Sequence, residues 1–437
     1  MSVLTRRNGE VREFRPPKSP VRLFWPDENL QSLSVAVKER EKRVKVNSYA
    51  SSSSSKAWDR RFWLFFVLFH LFGIETLPYI DLPKRKSKIT ATQRMLIIIW
   101  KSPKYIIRVI LLVNLATRIF WLVVLPDTVI QLAFLFHALS LSFAYLKIYR
   151  NRRGITKTFE SVIGVFEILA PGYTFKKYRY SVLLFFIYCQ FLAVSSSILH
   201  NFTQGNNQTE QNTTNSTPIS TNFPPLPTYL NLTLNIVEVL HNVAITGIVS
   251  LFVLYYSFTC KFLNKLFNEV LRHVKLIPKA QNYEVLLPAY EQILTSMDSL
   301  EDSSSFPTFL IVVNNTVGLF VVGYSLAFTA DESYEFFFYS LLLGLQHMTF
   351  QIMIMLIGSN TVEAAKDAKV GIFSLPGKIP SKYEELKILM CRKFKRDSVL
   401  TLWNIYVLDR SLLLSSFGSL ITYGILIGTL LKVQHSE

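Results

Sequence analysis

The chain of 437 residues has few cysteines and few charged side chains. Its three cysteines, Cys189, Cys260 and Cys391, are far apart and lack metal-ligand spacing, which argues against a disulfide framework or a zinc site. Only 18% of the residues are charged, whereas soluble domains have about 25%. Half of the residues are hydrophobic, 34 are Phe and the mean hydropathy is +0.28. This composition indicates a membrane protein.

Signatures of enzymes are missing from the sequence. There is no Gly-rich phosphate loop and no HExxH pattern, and His137, His241 and His347 lack a recognisable partner motif. We therefore predict no catalytic residues, no cofactor and no metal site. The net charge of +17 would suggest nucleic acid on a soluble protein. Here the basic residues are divided among loops beside apolar segments, so no nucleic-acid partner is expected.

Seven segments have the length and apolar character needed to cross a membrane, which takes about 20 residues. They are roughly Tyr105–Leu125, Thr128–Ile148, Tyr180–Leu199, Ile236–Thr259, Phe306–Thr329, Phe336–Gly358 and Leu408–Leu431. An eighth segment, Phe62–Ile80, contains His70, Glu75 and Pro78 and has basic residues on both flanks. Because basic flanks stay in the cytoplasm, we predict an interfacial or re-entrant helix there. A true eighth span is the alternative.

The distribution of Lys and Arg predicts the orientation. Neither residue occurs in 180–260 or 280–365, while both are frequent in the N-terminal tail and in the intervening segments. This bias predicts a cytoplasmic N-terminus and, after seven crossings, an extracellular C-terminus. G-protein-coupled receptors have the opposite orientation. Glycosylation sequons in one Lys-free loop predict that it is extracellular; they are Asn201, Asn207, Asn212, Asn215 and Asn231.

The predicted fold class is all-α, a polytopic membrane protein with seven transmembrane helices and a cytoplasmic helical anchor bundle. Segments 261–305 and 359–407 have apolar residues at helical spacing, which predicts that the spans continue as helices on the cytoplasmic side. Amphipathic loops on the lipid surface are the alternative. The predicted segments are a disordered basic tail (1–57), an interfacial helix with a basic linker (58–94), four spans (95–260, with the extracellular loop 200–233), the first anchor helices (261–305), two spans (306–358), further anchor helices (359–407), and the last span with a short extracellular C-terminus (408–437).

The sequence of the last span resembles that of a known family. The sequence from Leu402 to Gln434 reads LWNIYVLDRSLLLSSFGSLITYGILIGTLLKVQ. It resembles the end of the arthropod gustatory receptors, relatives of the insect odorant receptors, whose last helix has Thr-Tyr, five hydrophobic residues, Gln and Phe. Thr422 and Tyr423 match this pattern, whereas Thr429 and Leu430 stand in place of Gln and Phe. The resemblance covers the architecture from about Arg60 to the C-terminus.

This resemblance implies a tetrameric, non-selective cation channel that a small-molecule tastant opens directly. It implies a multi-pass protein in the plasma membrane of sensory neurons, assembled from identical or related subunits. The last helix of each subunit would line a central pore, and the ligand pocket would lie in the outer half of each subunit. The alternatives from other classes are a membrane transporter and a seven-helix receptor that signals indirectly.

Small and hydroxyl side chains on one face of the last helix suit a pore, with an apolar constriction beside them. The predicted pore-lining residues are Ser415, Gly418, Thr422, Ile425, Leu426 and Thr429. Small residues also let helices pack closely, and the Gly424-xxx-Gly428 pattern fits that alternative. Tyr423, Asp409 and Arg410 are the candidates for gating or coupling. Asp409 and Arg410 either couple the anchor to the pore or form a pair at the membrane boundary.

Polar residues inside spans are costly and are often functional. Together with nearby aromatic residues they give the ligand-binding candidates, which are Gln131, Phe134, His137, Gln190, Glu238, His241, Asn242, Phe320, Tyr324, Phe328, Tyr339 and Gln346. Hydrogen-bonding groups against aromatic walls suit a sugar, whereas a mainly aromatic pocket suits an apolar bitter compound. Each of these residues could instead form an interhelical hydrogen bond. Arg118 is expected to extend outward to the lipid headgroups.

Overall fold

The structure is a computed structural model of the chain. It describes residues 64–75, 91–124, 128–170, 176–213, 228–276, 283–328, 334–394 and 399–412, together with residues 414, 415, 418, 419 and 422. The predicted tail, 1–57, lies outside the described residues.

Helices account for nearly all of the described chain, as the sequence predicts. Residues 64–71 form α1. The helices that follow are α2 (Ala91–Val124), α3 (Thr128–Arg150), α4 (Arg152–Leu169), α5 (Lys176–Thr213), α6 (Thr228–Leu276), α7 (Tyr283–Phe328), α8 (Tyr334–Phe373), α9 (Leu375–Lys378) and α10 (Tyr383–Lys393), with a 3-10 turn at Pro380–Lys382. Two short strands, β1 (Thr401–Leu402) and β2 (Tyr406–Val407), come next. The last helix is described at residues 410–412, 414, 415, 418, 419 and 422.

Several helices are far longer than a membrane crossing requires. By length and composition, four described helices contain candidate spans, at Tyr180–Leu199, Asn235–Leu276, Val285–Leu326 and Tyr334–Phe373. Helix α6 has 49 residues and is therefore ~74 Å long, compared with ~30 Å for the hydrocarbon layer. The predicted helical extensions beyond the spans are thus present in α6, α7 and α8.

The helix α4 was not among the predicted helices. Ile155, Phe159, Val162 and Phe166 recur every three or four residues and are at most 2% exposed. They face α6 and α7, and the rings of Phe166 and Phe262 lie 5.6 Å apart. This apolar period is present in the sequence, although the first part of the helix is basic.

The N-terminal helix α1 is described from residue 64 to its end at Leu71. Gly73, with φ of 77°, follows that end. A Cβ at Gly73 would lie 2.9 Å from the Lys104 Cα, so the chain passes close to α2 there. Phe65 and Phe69 are buried, and Glu75 pairs with Lys104 at 2.8 Å. This segment packs into the helical bundle, which favours the re-entrant interpretation.

The predicted helical segment 359–407 is helical only in part. Helix α10 ends at Lys393, and an antiparallel hairpin pairs Thr401 with Val407. In the turn of this hairpin Trp403 and Asn404 have positive φ, so a right-handed helix cannot continue through it. In the predicted outer loop, 200–233, the backbone remains helical to Thr213.

Candidate ligand site and pore helix

A layer of buried polar side chains crosses the bundle near the middle of the predicted spans. The Ser140 hydroxyl on α3 donates to the Asn314 Oδ1 on α7 at 3.0 Å. At the next residue of α7, Asn315 Oδ1 and His347 Nδ1 of α8 are 3.0 Å apart. The imidazole rings of His137 and His347 meet edge to face, with centroids 6.3 Å apart. We call these five residues the polar layer.

One glycine makes this arrangement sterically possible. A Cβ at Gly318 would lie 2.5 Å from the His347 Nε2 and 2.8 Å from its Cε1. Such a distance is far below normal contact, so His347 occupies the space that any larger residue at 318 would need. Gly318 on α7 therefore allows the His347 ring to approach the helix backbone and to reach Asn315.

Hydrogen bonds beside the polar layer join α8 to α6 and to α7, but several polar atoms there are left unpaired. Gln346 donates from Nε2 to the Thr246 hydroxyl at 3.1 Å, and Gln351 donates to the Thr316 hydroxyl at 3.4 Å. Within the described chain, four buried atoms in this region have no hydrogen-bond partner: Gln346 Oε1, Gln351 Oε1, Asn315 Nδ2 and His241 Nδ1. Since buried polar atoms are costly when unpaired, these donors and acceptors are suited to water or to a polar ligand.

An ion pair lies toward the outer ends of the same spans. Arg118 on α2 and Glu238 on α6 are 2.8 Å apart, with exposed side-chain fractions of 19% and 30%. The Arg118 guanidinium also lies 5.1 Å from the centre of the Phe134 ring on α3. Tyr339 on α8 lies close enough to interact electrostatically with both charges. The expectation that Arg118 extends outward to the headgroups was wrong, because its partner is a carboxylate inside the bundle.

The structure thus brings together about half of the ligand candidates. Phe134, Glu238 and Tyr339 surround Arg118, while His137 and Gln346 belong to or adjoin the polar layer. Asn242 lies on α6 and donates to the Ser197 hydroxyl of α5 at 3.2 Å.

The remaining candidates lie on α3, α5 and α7. Gln190 is on α5, and neither of its amide atoms has a partner in the described chain. Phe320 and Tyr324 are half-buried on α7. The side chains of Gln131 and Phe328 lie outside the described residues, as do those of the sequons Asn201, Asn207, Asn212 and Asn231. Asn215 lies outside the described residues altogether.

Arg118, Ser140, Asn314 and Asn315 are parts of this region that were not among the predicted site residues. Asn314 and Asn315 are consecutive in an otherwise apolar helix. A polar pair in an apolar helix was the available signal. The pairing of Arg118 with Glu238 spans 120 positions, and only the fold brings them together.

An open pocket lies away from the polar layer and the ion pair. It is at the end of α8 that is cytoplasmic in the predicted topology. Its volume is about 340 Å³, and its walls include Phe373, Pro376, Tyr383 and Met390. None of the predicted ligand candidates lines it.

The described residues of the last helix beyond 412 are exposed within the single subunit, and the small and hydroxyl side chains among them form one free face. Ser415, Gly418 and Thr422 are exposed, and a Cβ at Gly418 would meet no atom within 4 Å. The Thr422 hydroxyl donates to the Gly418 carbonyl at 2.9 Å. Three and four positions separate these residues, so they share one face. The other predicted pore residues, Ile425, Leu426 and Thr429, and the coupling candidate Tyr423 lie outside the described residues.

The two charged residues before the last helix have separate roles. Asp409 accepts a hydrogen bond from the Ser411 backbone N at 3.0 Å, which caps the helix start. Arg410 bonds to Glu363 and to the Asn360 side chain of α8. The interhelical contact of Arg410 corresponds to the coupling alternative.

Comparison with known proteins identifies relatives of this architecture. Residues 127–427 match the family model described as "7tm Chemosensory receptor". The insect olfactory receptor OR5 from Machilis hrabei is similar in structure, with a TM-score of 0.56 and 14% identity, covering 86% of this chain and 99% of that one. The same receptor in complex with eugenol gives a TM-score of 0.59 at 14% identity, covering 86% and 98%. No curated protein sequence matches the chain. The matched fold is that of a helical membrane receptor.

Proposed function

The chain belongs to the 7tm chemosensory receptor family, and from this premise we propose that it is a ligand-gated, non-selective cation channel of the gustatory type. Four subunits, identical or related, surround a central pore in the plasma membrane of a sensory neuron. The observation that carries this proposal is the free face of the last helix. Ser415, Gly418 and Thr422 are exposed in the single subunit, and an intramembrane face of small and hydroxyl residues is suited to a pore shared between copies.

The charge distribution supports cations as the permeating ions. Asp331, Glu332 and Glu335 lie in the short outer segment between the fifth and sixth spans and would concentrate cations at the outer mouth. Glu335 lies in the first turn of α8. The Lys and Arg residues lie mainly in the predicted cytoplasmic segments, away from this mouth.

The ligand is a small molecule that carries hydroxyl groups. The unpaired buried atoms of Gln346, Asn315 and His241 include hydrogen-bond donors and acceptors, which an apolar ligand would leave unsatisfied. The ring of Phe134 and the Arg118–Glu238 pair lie toward the outer ends of the spans. A site between this pair and the polar layer combines an aromatic wall with a polar floor, and the related olfactory receptor has been solved in complex with eugenol, an aromatic compound.

Current recording tests this proposal. The protein is expressed in a heterologous cell, and currents are measured while sucrose, fructose, caffeine, denatonium and eugenol are applied with G-protein signalling blocked. A direct channel gives currents that survive the block and reverse near the potential of a non-selective cation pathway. Currents that vanish under the block would favour indirect signalling, and uptake of the compound without current would favour a transporter.

A further inference from the structure

The segment between α10 and the last helix is a closed hairpin, which we call the coupling hairpin (residues 400–408). Thr401 pairs with Val407 and Leu402 pairs with Tyr406. The Leu408 backbone N donates to the Leu400 carbonyl at 2.9 Å, which closes the base, and the Ile405 N donates to the Leu402 carbonyl at 3.0 Å, which closes the turn. The hairpin therefore holds its shape through its own backbone.

Side chains of α7 bind one side of the coupling hairpin. The Glu301 carboxylate accepts a hydrogen bond from the Thr401 backbone N at 2.9 Å and another from the Thr401 hydroxyl. The Trp403 ring packs against Phe306 and Phe309, with centroid distances of 5.0 and 5.3 Å. These contacts hold a bulky residue at φ of 54°, a conformation that such residues rarely adopt.

Helix α8 contacts the base of the hairpin. A Cβ at Gly358 would lie 3.0 Å from Leu408 Cδ1 and 3.2 Å from the Tyr256 hydroxyl oxygen. Leu408 is 1% exposed, so it fills the space above Gly358. Two residues later, Arg410 bonds to Glu363 of α8.

All of these contacts lie at the inner boundary of the predicted spans. Phe306 begins the fifth predicted span, Gly358 ends the sixth, and Leu408 begins the last one. The same α7 and α8 carry Asn315 and His347 of the polar layer higher in the bundle. The coupling hairpin thus lies where two ligand-site helices meet the start of the pore helix.

We propose that the coupling hairpin transmits movement of α7 and α8 to the last helix, with Glu301 and Gly358 as positioning residues. This inference rests on the proposed channel function. Ser415, Gly418 and Thr422 of the last helix are exposed in the single subunit, and the contacts of α7 and α8 described above lie at residues 400–410. A displacement of α7 or α8 then reaches the pore through a short, internally bonded element.

Two substitutions weaken the attachment at different contacts. Thr401→Val keeps the shape of the side chain but removes the hydroxyl, which binds Glu301 and also accepts the Asn404 backbone N–H at 2.9 Å. Thr295→Val, on an exposed face of α7 where the hydroxyl bonds only within its own helix, is the matched control. Gly358→Ala pushes against Leu408, and Gly377→Ala, where a Cβ meets nothing within 4 Å, is its control.

The first readout is single-channel recording with the most effective compound of the panel named above. Thr401→Val and Gly358→Ala are expected to lower the maximal open probability about fivefold, the equivalent of one hydrogen bond, with unchanged unitary conductance. Adding Leu408→Ala to Gly358→Ala removes the obstructing atom and should restore part of the open probability. Unchanged open probability in both variants would overturn the proposal, as would a change in conductance alone.

The second readout is amide hydrogen exchange of the purified protein in lipid nanodiscs without ligand, and it does not depend on current. Thr401→Val and Gly358→Ala should raise exchange in residues 408–422 several-fold, whereas the two controls should not. If the wild type conducts no current, the proposed channel function is wrong. The exchange result still tests whether the coupling hairpin attaches the last helix to α7 and α8. Equal exchange in all four variants would contradict the role of the hairpin.

Discussion

Gly318→Ala is the most informative single change, because one methyl group tests the geometry of the polar layer. The new Cβ would lie 2.5 Å from the His347 Nε2 and 2.7 Å from its Cδ2. Normal contact requires roughly 3.7 Å, so the ring must move by about 1 Å. That movement stretches the 3.0 Å contact between His347 Nδ1 and Asn315 Oδ1 beyond hydrogen-bond distance.

The energetic cost follows from three effects. Loss of a buried hydrogen bond costs about 1–3 kcal/mol, and overpacking costs about 1–3 kcal/mol. Replacing Gly by Ala in a helix stabilises the folded protein by about 1 kcal/mol. We expect the free energy of unfolding to fall by about 2–3 kcal/mol in Gly318→Ala. Gly323→Ala on the same helix, where a Cβ meets nothing within 4 Å, should be neutral or stabilising by up to about 1 kcal/mol.

Thermal unfolding of the purified protein in detergent measures this difference, and ligand-evoked current measures its effect on the site. Gly318→Ala should lower the midpoint temperature and shift the effective ligand concentration about tenfold, whereas Gly323→Ala should do neither. Adding His347→Ala to Gly318→Ala should cost less than the sum of the two single changes, because the clash is then absent. Equal midpoints for the two glycine variants would refute the packing of His347 against Gly318.

Three further predictions concern the ion pair, the pore and the topology. Arg118→Ala should lower surface expression several-fold, because it leaves the Glu238 carboxylate unpaired, and adding Glu238→Ala should restore part of the expression. Surface biotinylation measures the expression of both variants. Equal loss in the single and double variants would contradict the pairing. Thr429→Gln should alter unitary conductance or relative cation permeability, and unchanged permeation would move the pore face elsewhere. Removal of N-glycans should reduce the apparent mass of the protein, because the predicted glycosylation sites lie in loop 200–233. A C-terminal tag should bind antibody on intact cells. A tag that antibody reaches only after permeabilisation would refute the predicted orientation.

The sequence was sufficient to predict the helical membrane architecture, because hydropathy and apolar spacing act along single helices. The buried residues of the extensions, among them Phe262 and Ile293, follow that spacing and are fully buried. The coupling hairpin was not predictable in the same way. Its turn depends on positive φ at Trp403 and Asn404. Asn adopts this conformation more readily than most residues, but a bulky Trp rarely does, so the sequence at 403 does not indicate the turn.

The candidate site was predicted only where polarity was conspicuous within one span. His137, Glu238 and Gln346 were found because each stands out in an apolar helix. The partners that define their geometry depend on tertiary packing, such as the contact of His347 with Gly318. One amino-acid sequence by itself contains no signal that His347 lies beside Gly318.

The central claim is that this chain itself conducts ions when a ligand binds. The most direct measurement is recording from the purified protein reconstituted in a lipid bilayer, with no other protein present and with the compound panel applied. We expect discrete, ligand-evoked cation currents under these conditions. Ligand binding to the reconstituted protein, measured in the same preparation, without any accompanying current would contradict it.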